Sequence, residues 1–391
     1  MTPGSLDGAM INRPFLNFYM SQRISPVRQD ISNLTAHYRR RGALYHSLGL
    51  PPITLRGRRV LELGPGTGEN ALATLSYEPA ELTLVDGNPS SLGACRRNLS
   101  PHLGGGTKIR FIRSLIEDFQ IDARYDVVLC EGVIPFQVDP VTFARSLSRY
   151  VAPGGVLVVT CIDGVQFIGE VARRLIADSL IPFDTPARRR HDALQPVFAP
   201  HLDSLSGMTR SHTDWIYDNL LIPYTGRLFG IQDAIEALGE EFDVFGASPN
   251  FGVDWRWYKT LTGEDPGFNS VFLDQYRKNI MNFLDYRVVM PPQDEDVGAR
   301  VLALADDLFD TTVDMETRGT NDRLPHVLQI LDEITRFATE DNAVTRKSLE
   351  ELSAFLSNPS LSSAIGGLPT FTGFFGRGQQ YLSFVRRTEH P

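Results

Sequence analysis

Two rhythms of hydrophobic and polar positions alternate along the first two-thirds of the chain. Short apolar runs read as buried strands at Arg59–Leu63, Glu81–Asp86, Ile109–Arg113, Tyr125–Cys130 and Gly155–Cys161. Helical spacing lies between them, at Glu69–Leu75, Ser91–Leu99 and Val141–Tyr150. An earlier helix is predicted from about Gln29 to Leu48, with Ile31, Leu34, Tyr38, Leu44 and Leu48 as its apolar positions and Pro51-Pro52 as its stop. Such alternation predicts a parallel sheet covered by helices. From Asp163 to Gly230 the rhythm breaks into a stretch rich in Pro, His, Arg and aromatics. It resumes with a helix over Ile231–Leu238, a strand over Phe242–Ser248 and a last strand over Trp255–Leu261. Asn269 to Leu356 reads as helical, and the glycine- and aromatic-rich end, Gly366 to Arg387, need not be regular.

The domain expectation follows from these breaks. Residues 1–50 form an N-terminal helical cap and 51–262 a sheet domain, with 163–230 as a lid insertion. Residues 263–391 form a helical C-terminal appendage. The insertion leaves the sheet at its carboxyl edge, where open α/β folds bind ligands.

Composition narrows the partners. With 47 acidic against 38 basic residues and a formal charge of −9, the chain lacks the cationic excess that phosphate backbones select, so no nucleic-acid partner is expected. The runs Arg39-Arg40-Arg41 and Arg188-Arg189-Arg190-His191 read as solvated faces. Cys95, Cys130 and Cys161 are far apart and outside any CxxC spacing, which predicts reduced thiols in a cytoplasmic protein and no metal site. MTPGSLDGAMINRPF has no basic region followed by an apolar run, so it does not read as a signal peptide, and its first few residues could be a disordered leader. The apolar run from Gly155 to Ile162 is too short to span a bilayer, and no membrane partner is expected.

The sharpest motif is VLELGPGTGEN, Val60 to Asn70: a strand, a turn with Gly64, Gly66 and Gly68, then a helix. Glycines there permit a sharp turn and close approach of a ligand to the backbone. The dinucleotide fingerprint wants a third glycine where this chain has Glu69, which argues against an NAD(P) oxidoreductase. Glu62, just before the turn, would repel a pyrophosphate and favour a ligand with cationic groups. Asp86 ends the second strand, 20 residues after Gly66, where a carboxylate can accept from two ribose hydroxyls. Three further blocks follow: SLIEDF (Ser114 to Phe119), YDVVLCEG (Tyr125 to Gly132) and YVAPGGVLVVT (Tyr150 to Thr160).

In this order and spacing, the five blocks resemble the class I S-adenosylmethionine (SAM) dependent methyltransferase family, over about Gln29 to Leu261. The resemblance implies a Rossmann-like, doubly wound α/β fold with a mostly parallel seven-stranded sheet and an antiparallel last strand. It implies SAM as cofactor, with Glu62, Gly64, Gly66 and Gly68 along the methionyl moiety. Asp86 and Gly87 then lie at the ribose, and Leu115, Ile116 and Glu117 around the adenine. Tyr38, on the helix before the first strand, joins the cofactor set.

The acceptor side is less constrained, because the sulfonium already activates the methyl group. Glu131, directly after the fourth strand, is a candidate base or a cofactor contact. His212 is the second candidate base, and Trp215, Tyr217 and Tyr224 are candidate pocket walls. The reaction expected is methyl transfer to an oxygen or nitrogen of a small molecule or glycan, by a chain that could also be a homodimer. A non-methylating use of SAM, such as its intramolecular cyclisation, and an inactive SAM-binding protein stay open as alternatives.

Overall fold

Six of the seven predicted strands form. β1 is Arg59–Leu63, β2 Glu81–Asp86, β3 Lys108–Arg113, β4 Tyr125–Cys130, β5 Val151–Cys161, β6 Phe242–Ser248 and β7 Gln380–Arg386. These assignments come from a computed structural model, which describes residues 14–22, 28–103, 105–224, 227–262, 265–337, 342–360 and 364–388. The leader expected in the first few residues lies outside the described residues. One seven-stranded sheet has the order β3-β2-β1-β4-β5-β7-β6. β1 pairs in parallel with β2 and β4, β2 with β3, and β4 with β5; β7 runs antiparallel between β5 and β6. β1, β2, β4 and β5 are buried almost without interruption, as strands covered on both faces must be. The mostly parallel Rossmann-like sheet is therefore as expected.

Its last strand is not. Trp255–Leu261 was expected to supply it, but residues 255–257 lie outside any strand and Tyr258–Thr260 form a short 3-10 turn. Trp255, Trp257 and Tyr258 are exposed, so that stretch has no face to bury. The seventh strand comes instead from the C-terminal end, where Leu382 and Phe384 are fully buried. Its register sets Thr160 opposite Tyr381 on one side and Ser248 opposite Tyr381 on the other.

The chain divides into two compact units. The first comprises Met1–Ile162, Thr225–Tyr276 and Gln379–Pro391; the second comprises Asp163–Tyr224 and Arg277–Gly378. In the first, helices flank the sheet. Leu34–Ser47 starts where the Asn33 side chain accepts from Ala36 N–H, five residues later than the apolar pattern suggested. Glu69–Ser76, Pro89–Leu99, Pro140–Ser146 and Ile231–Leu238 follow, the last burying Ile231, Ala234, Ile235 and Leu238 at helical spacing. One face of the sheet core joins Leu48, Leu50, Val60, Leu72, Leu84, Val127 and Val158.

The second unit is helical. Gly164–Leu180 is buried nearly all round and pairs with Glu295–Arg318, where Arg174 makes a two-pronged ion pair with Glu316 at 2.6 and 2.5 Å. Ala187–Asp203, His212–Ile216, Leu324–Arg336 and Ala343–Ser357 complete it. Its aromatic centre sets His201 flat on Phe375, ring centroids 4.0 Å apart, with Nδ1 at 2.8 Å from the Thr372 carbonyl. Burial and the Arg173 charge push His201 well below its usual pKa, so it is neutral; Nδ1–H donates to Thr372 and Nε2 faces Arg173 at 3.3 Å.

Candidate functional site

The glycine turn is held from both sides. Gly64 N–H donates to the Val85 carbonyl (2.8 Å) at the end of β2, and Gly66 N–H donates to Asp86 Oδ2 (3.1 Å). Gly66 has φ +56° and Gly68 φ +88°, values that favour glycine. The two differ in what surrounds them. A Cβ on Gly68 would meet Cys95 Sγ at 2.6 Å, so that glycine serves packing of the turn against the Pro89–Leu99 helix. A Cβ on Gly66 would meet nothing within 4 Å. The backbone there borders open space, as a surface that receives a ligand must.

Asp86 faces the same turn. Its Oδ1 accepts from Asn88 N–H at 2.7 Å, and burial pushes its carboxyl up to about 6, against the opposing pull of the Asn88 and Gly66 N–H groups. A carboxylate offers about four lone-pair positions, so two of them are left for further donors. Gly87 makes room for its neighbour: a Cβ there would lie 2.8 Å from Leu115 Cδ2. The backbone of the third block is pinned, since the Tyr150 hydroxyl donates to the carbonyls of Ile116 (3.3 Å) and Phe119 (2.7 Å). The Glu117 carbonyl accepts from Arg149 at 3.5 Å.

Under the turn lies a cluster of buried charge. Glu131 Oε1 accepts from Arg41 Nη2 at 2.7 Å, and Glu131 Oε2 accepts from the Asn70 amide at 3.4 Å. Arg41 also donates to the Tyr45 hydroxyl at 2.9 Å. His37, Arg41 and Tyr45 recur every four residues on one face of Leu34–Ser47, and all three are buried. His37 Nε2 contacts the Glu69 carbonyl at 2.8 Å, fixing this helix to the start of the next. Tyr38 sits beside it, half-buried, its hydroxyl pushed up by burial.

Three buried atoms in this cluster lack hydrogen-bond partners: Glu62 Oε2, Arg41 Nε and His37 Nδ1. The first is an acceptor and the second a donor. Burial, with repulsion from Glu131, pushes the Glu62 carboxyl up to about 8, although Arg41 pulls the other way. Stability tied to Glu62 is therefore full below its ordinary value near 4.5 and is lost as pH rises towards 8. Glu62→Gln should raise the melting temperature at pH values above that range and leave it almost unchanged in mild acid. Equal gains in acid and base, read by calorimetric melting in both buffers, would show that Glu62 is not strained by its charge.

The remaining candidates lie in the second unit. His212 Nε2 pairs with Asp203 at 3.2 Å, both partly open to water, a setting in which ion pairs contribute little. Trp215 is buried against Phe198 and His201, and Arg173 lies over its ring at 5.5 Å. Tyr217 stacks on His191, and Tyr224 packs on Phe167 and Phe309 under Arg174. Sequence reading missed Arg41, Asn70 and His37. The four-residue recurrence of His37, Arg41 and Tyr45 was the available signal.

Residues 61–159 match the model of a protein family described as "Methyltransferase domain". That span holds the glycine turn, Asp86, the pinned third block and Glu131. This segment is similar to a methyltransferase domain. Curated relatives share its sequence. The ubiquinone biosynthesis O-methyltransferase of Rickettsia akari is 26% identical over 37% of this chain and 52% of its own length. That of Vibrio parahaemolyticus is 35% identical over 26% of this chain and 42% of its own. The chain thus spans about half the length of the curated relatives it matches. Two methyltransferase structures share some of the shape. The CcbJ methyltransferase of Streptomyces caelestis gives a TM-score of 0.28 at 22% identity, covering 33% of this chain and 53% of that one. A putative methyltransferase of Bacillus halodurans gives 0.30 at 15% identity, covering 49% and 66%. Likenesses this small carry nothing further. Among the described residues, no helix is long and apolar enough to cross a membrane, and no group of His, Cys, Asp or Glu has the arrangement of a metal site.

Proposed function

We propose that the chain transfers a methyl group from SAM to an oxygen of a small-molecule acceptor. The observation that carries the reading is the unpartnered Glu62 Oε2, buried beside a glycine turn that opens on free space, with the unpartnered Arg41 Nε in the same cluster. A zwitterionic aminobutyrate arm has an ammonium for the first and a carboxylate for the second. Both are charge-assisted hydrogen bonds, about twice as strong as neutral ones. Bound SAM supplies a methyl group already activated on a sulfonium. The chain's own residues bind and orient it. Asp86 accepts from the ribose hydroxyls, Gly66 lets the ligand lie on the main chain, and Leu115, Ile116 and Glu117 border the adenine. Tyr38 closes from the preceding helix. Glu131 acts through Arg41, holding the guanidinium where the ligand carboxylate arrives, and the Asn70 amide fixes Glu131 in turn.

Oxygen is preferred over nitrogen as the accepting atom because the curated relatives are named O-methyltransferases. Three buried thiols, Cys95, Cys130 and Cys161, suit a reducing, cytoplasmic setting. Mass spectrometry of incubations with SAM and hydroxyl-bearing small molecules tests the reaction class. S-adenosylhomocysteine with an O-methylated product is the expected outcome; methylthioadenosine would mean displacement at the aminobutyrate arm and would contradict methyl transfer.

Asp86→Ala should weaken SAM binding by about 1.5–3 kcal/mol, the range for hydrogen bonds to a charged group. Calorimetric titration of a variant whose melting profile shows it folded provides the check. Unchanged affinity would remove Asp86 from the ribose.

A further inference from the structure

The strip after β6 does something the sheet does not need. Between Gly252 and Leu261 the chain reads GVDWRWYKTL. Trp255 is 89% exposed, Trp257 61% and Tyr258 70%, and Val253 is exposed beside them. Single exposed apolar residues are ordinary, but three large aromatics within four positions are a patch.

The strip is anchored. Phe251 packs on Phe272 with ring centroids 4.8 Å apart and on Tyr276 at 6.1 Å. Arg256 turns inward between the exposed rings. It forks onto Asp254 at 3.0 and 2.6 Å, donates to the Pro266 carbonyl and lies over Phe268. Lys259 Nζ stands 4.9 Å from the Trp257 ring centroid and 5.9 Å from that of Tyr258. Aromatics presented on such a fixed base lose little freedom on docking.

We infer that this strip is a two-fold contact through which two copies of the chain associate. Area is the first argument. Three aromatic side chains of roughly 150–250 Å² each, more than half exposed, offer on the order of 400–500 Å² per copy with Val253. A self-complementary pairing therefore hides roughly 1,000 Å², about the lower bound of a specific interface. Charge is the second. The chain carries −9, so copies repel and an anionic surface repels it; the strip carries one acid, Asp254, against two bases, Arg256 and Lys259. Two copies meeting there do so where their repulsion is least. The contact runs through side chains and not through sheet extension, because Asn269 already occupies the outer edge of β6. Its Oδ1 accepts from Val244 N–H and its amide donates to the Phe242 carbonyl, both at 2.8 Å. A two-fold contact is isologous, so each substitution acts twice.

Sedimentation equilibrium of the full chain is the test, beside the double variant Trp255→Ala/Trp257→Ala. The native chain should be dimeric at micromolar concentration, and the variant should dissociate at least about 100-fold more readily, as loss of central aromatic anchors does. The variant should still melt cooperatively, at a temperature lowered by no more than the lost association accounts for, since neither indole is buried in the fold. A native chain that stays monomeric throughout that range overturns the inference, as does a variant that remains dimeric. Native chain that co-sediments with phosphatidylcholine vesicles while remaining monomeric would give the strip to a lipid surface and equally overturn it.

Discussion

A chain ended at Gly378 is expected to lose the sheet domain altogether. β7 is an interior strand, hydrogen-bonded to β5 on one side and β6 on the other. Removing it strands two edges and empties the space of Leu382 and Phe384, both fully buried. It also takes away the Ser383 hydroxyl, which donates to the Leu48 carbonyl at 2.7 Å, and Arg386, which donates to the Ser148 and Val151 carbonyls. A tail that merely covered the ligand would, when removed, lower turnover more than SAM affinity. With β7 inside the sheet, affinity and fold are lost together. Far-ultraviolet circular dichroism should show no cooperative melting for the truncated chain. Phe384→Ala gives a milder version, destabilised by about 3–5 kcal/mol, the usual cost of truncating a buried phenylalanine. A truncated chain that melts cooperatively near the native temperature would mean that β7 is dispensable.

Gly66→Val is expected to cut SAM affinity by more than about 100-fold while the domain stays folded. Valine at φ +56° is strained, at a cost of roughly 1–3 kcal/mol, so a lower melting temperature is part of the expectation. The side chain itself meets no protein atom within 4 Å of its Cβ. It projects into the space the proposed ligand uses. Gly68→Val differs, because it collides with Cys95 and should impair folding before binding. The pair therefore separates a ligand-facing glycine from a packing glycine. Normal SAM affinity in a folded Gly66→Val protein would make the turn merely structural.

How much was legible follows from how far apart the interacting residues lie. β1, β2 and β4 could be read almost to the residue because each is a contiguous apolar run buried on both faces. Asp86 and Gly66 could be paired because the motif sets them 20 residues apart, and the structure joins them at 3.1 Å. β7 could not be read. Its partners are residues 156–161 and 242–248, and QYLSFVR alone does not reveal a strand that must wait for 130 residues of other structure. Trp255–Leu261 was read as a strand because the strand–helix rhythm resumes there, but a rhythm does not supply a partner strand. Arg41 stayed hidden for another reason. In a run of three arginines only the helix face distinguishes one, and that face is defined by Glu131, 90 residues on. The second unit was legible as helices over much of its length, yet Trp215 belongs to its packed centre beside His201, an arrangement that composition does not show.

Titration calorimetry of SAM at neutral pH, repeated in buffers of different ionisation enthalpy, tests whether the buried Glu62 and Arg41 atoms receive a zwitterionic SAM arm. Glu62, held near 8, is largely protonated there, and an arriving ammonium favours its ionised form, so binding should release a proton. The account predicts SAM binding with a buffer-dependent heat that disappears in Glu62→Gln, and no comparable heat with NAD. Binding of NAD alone, or SAM binding whose heat is the same in every buffer and in Glu62→Gln, would contradict it.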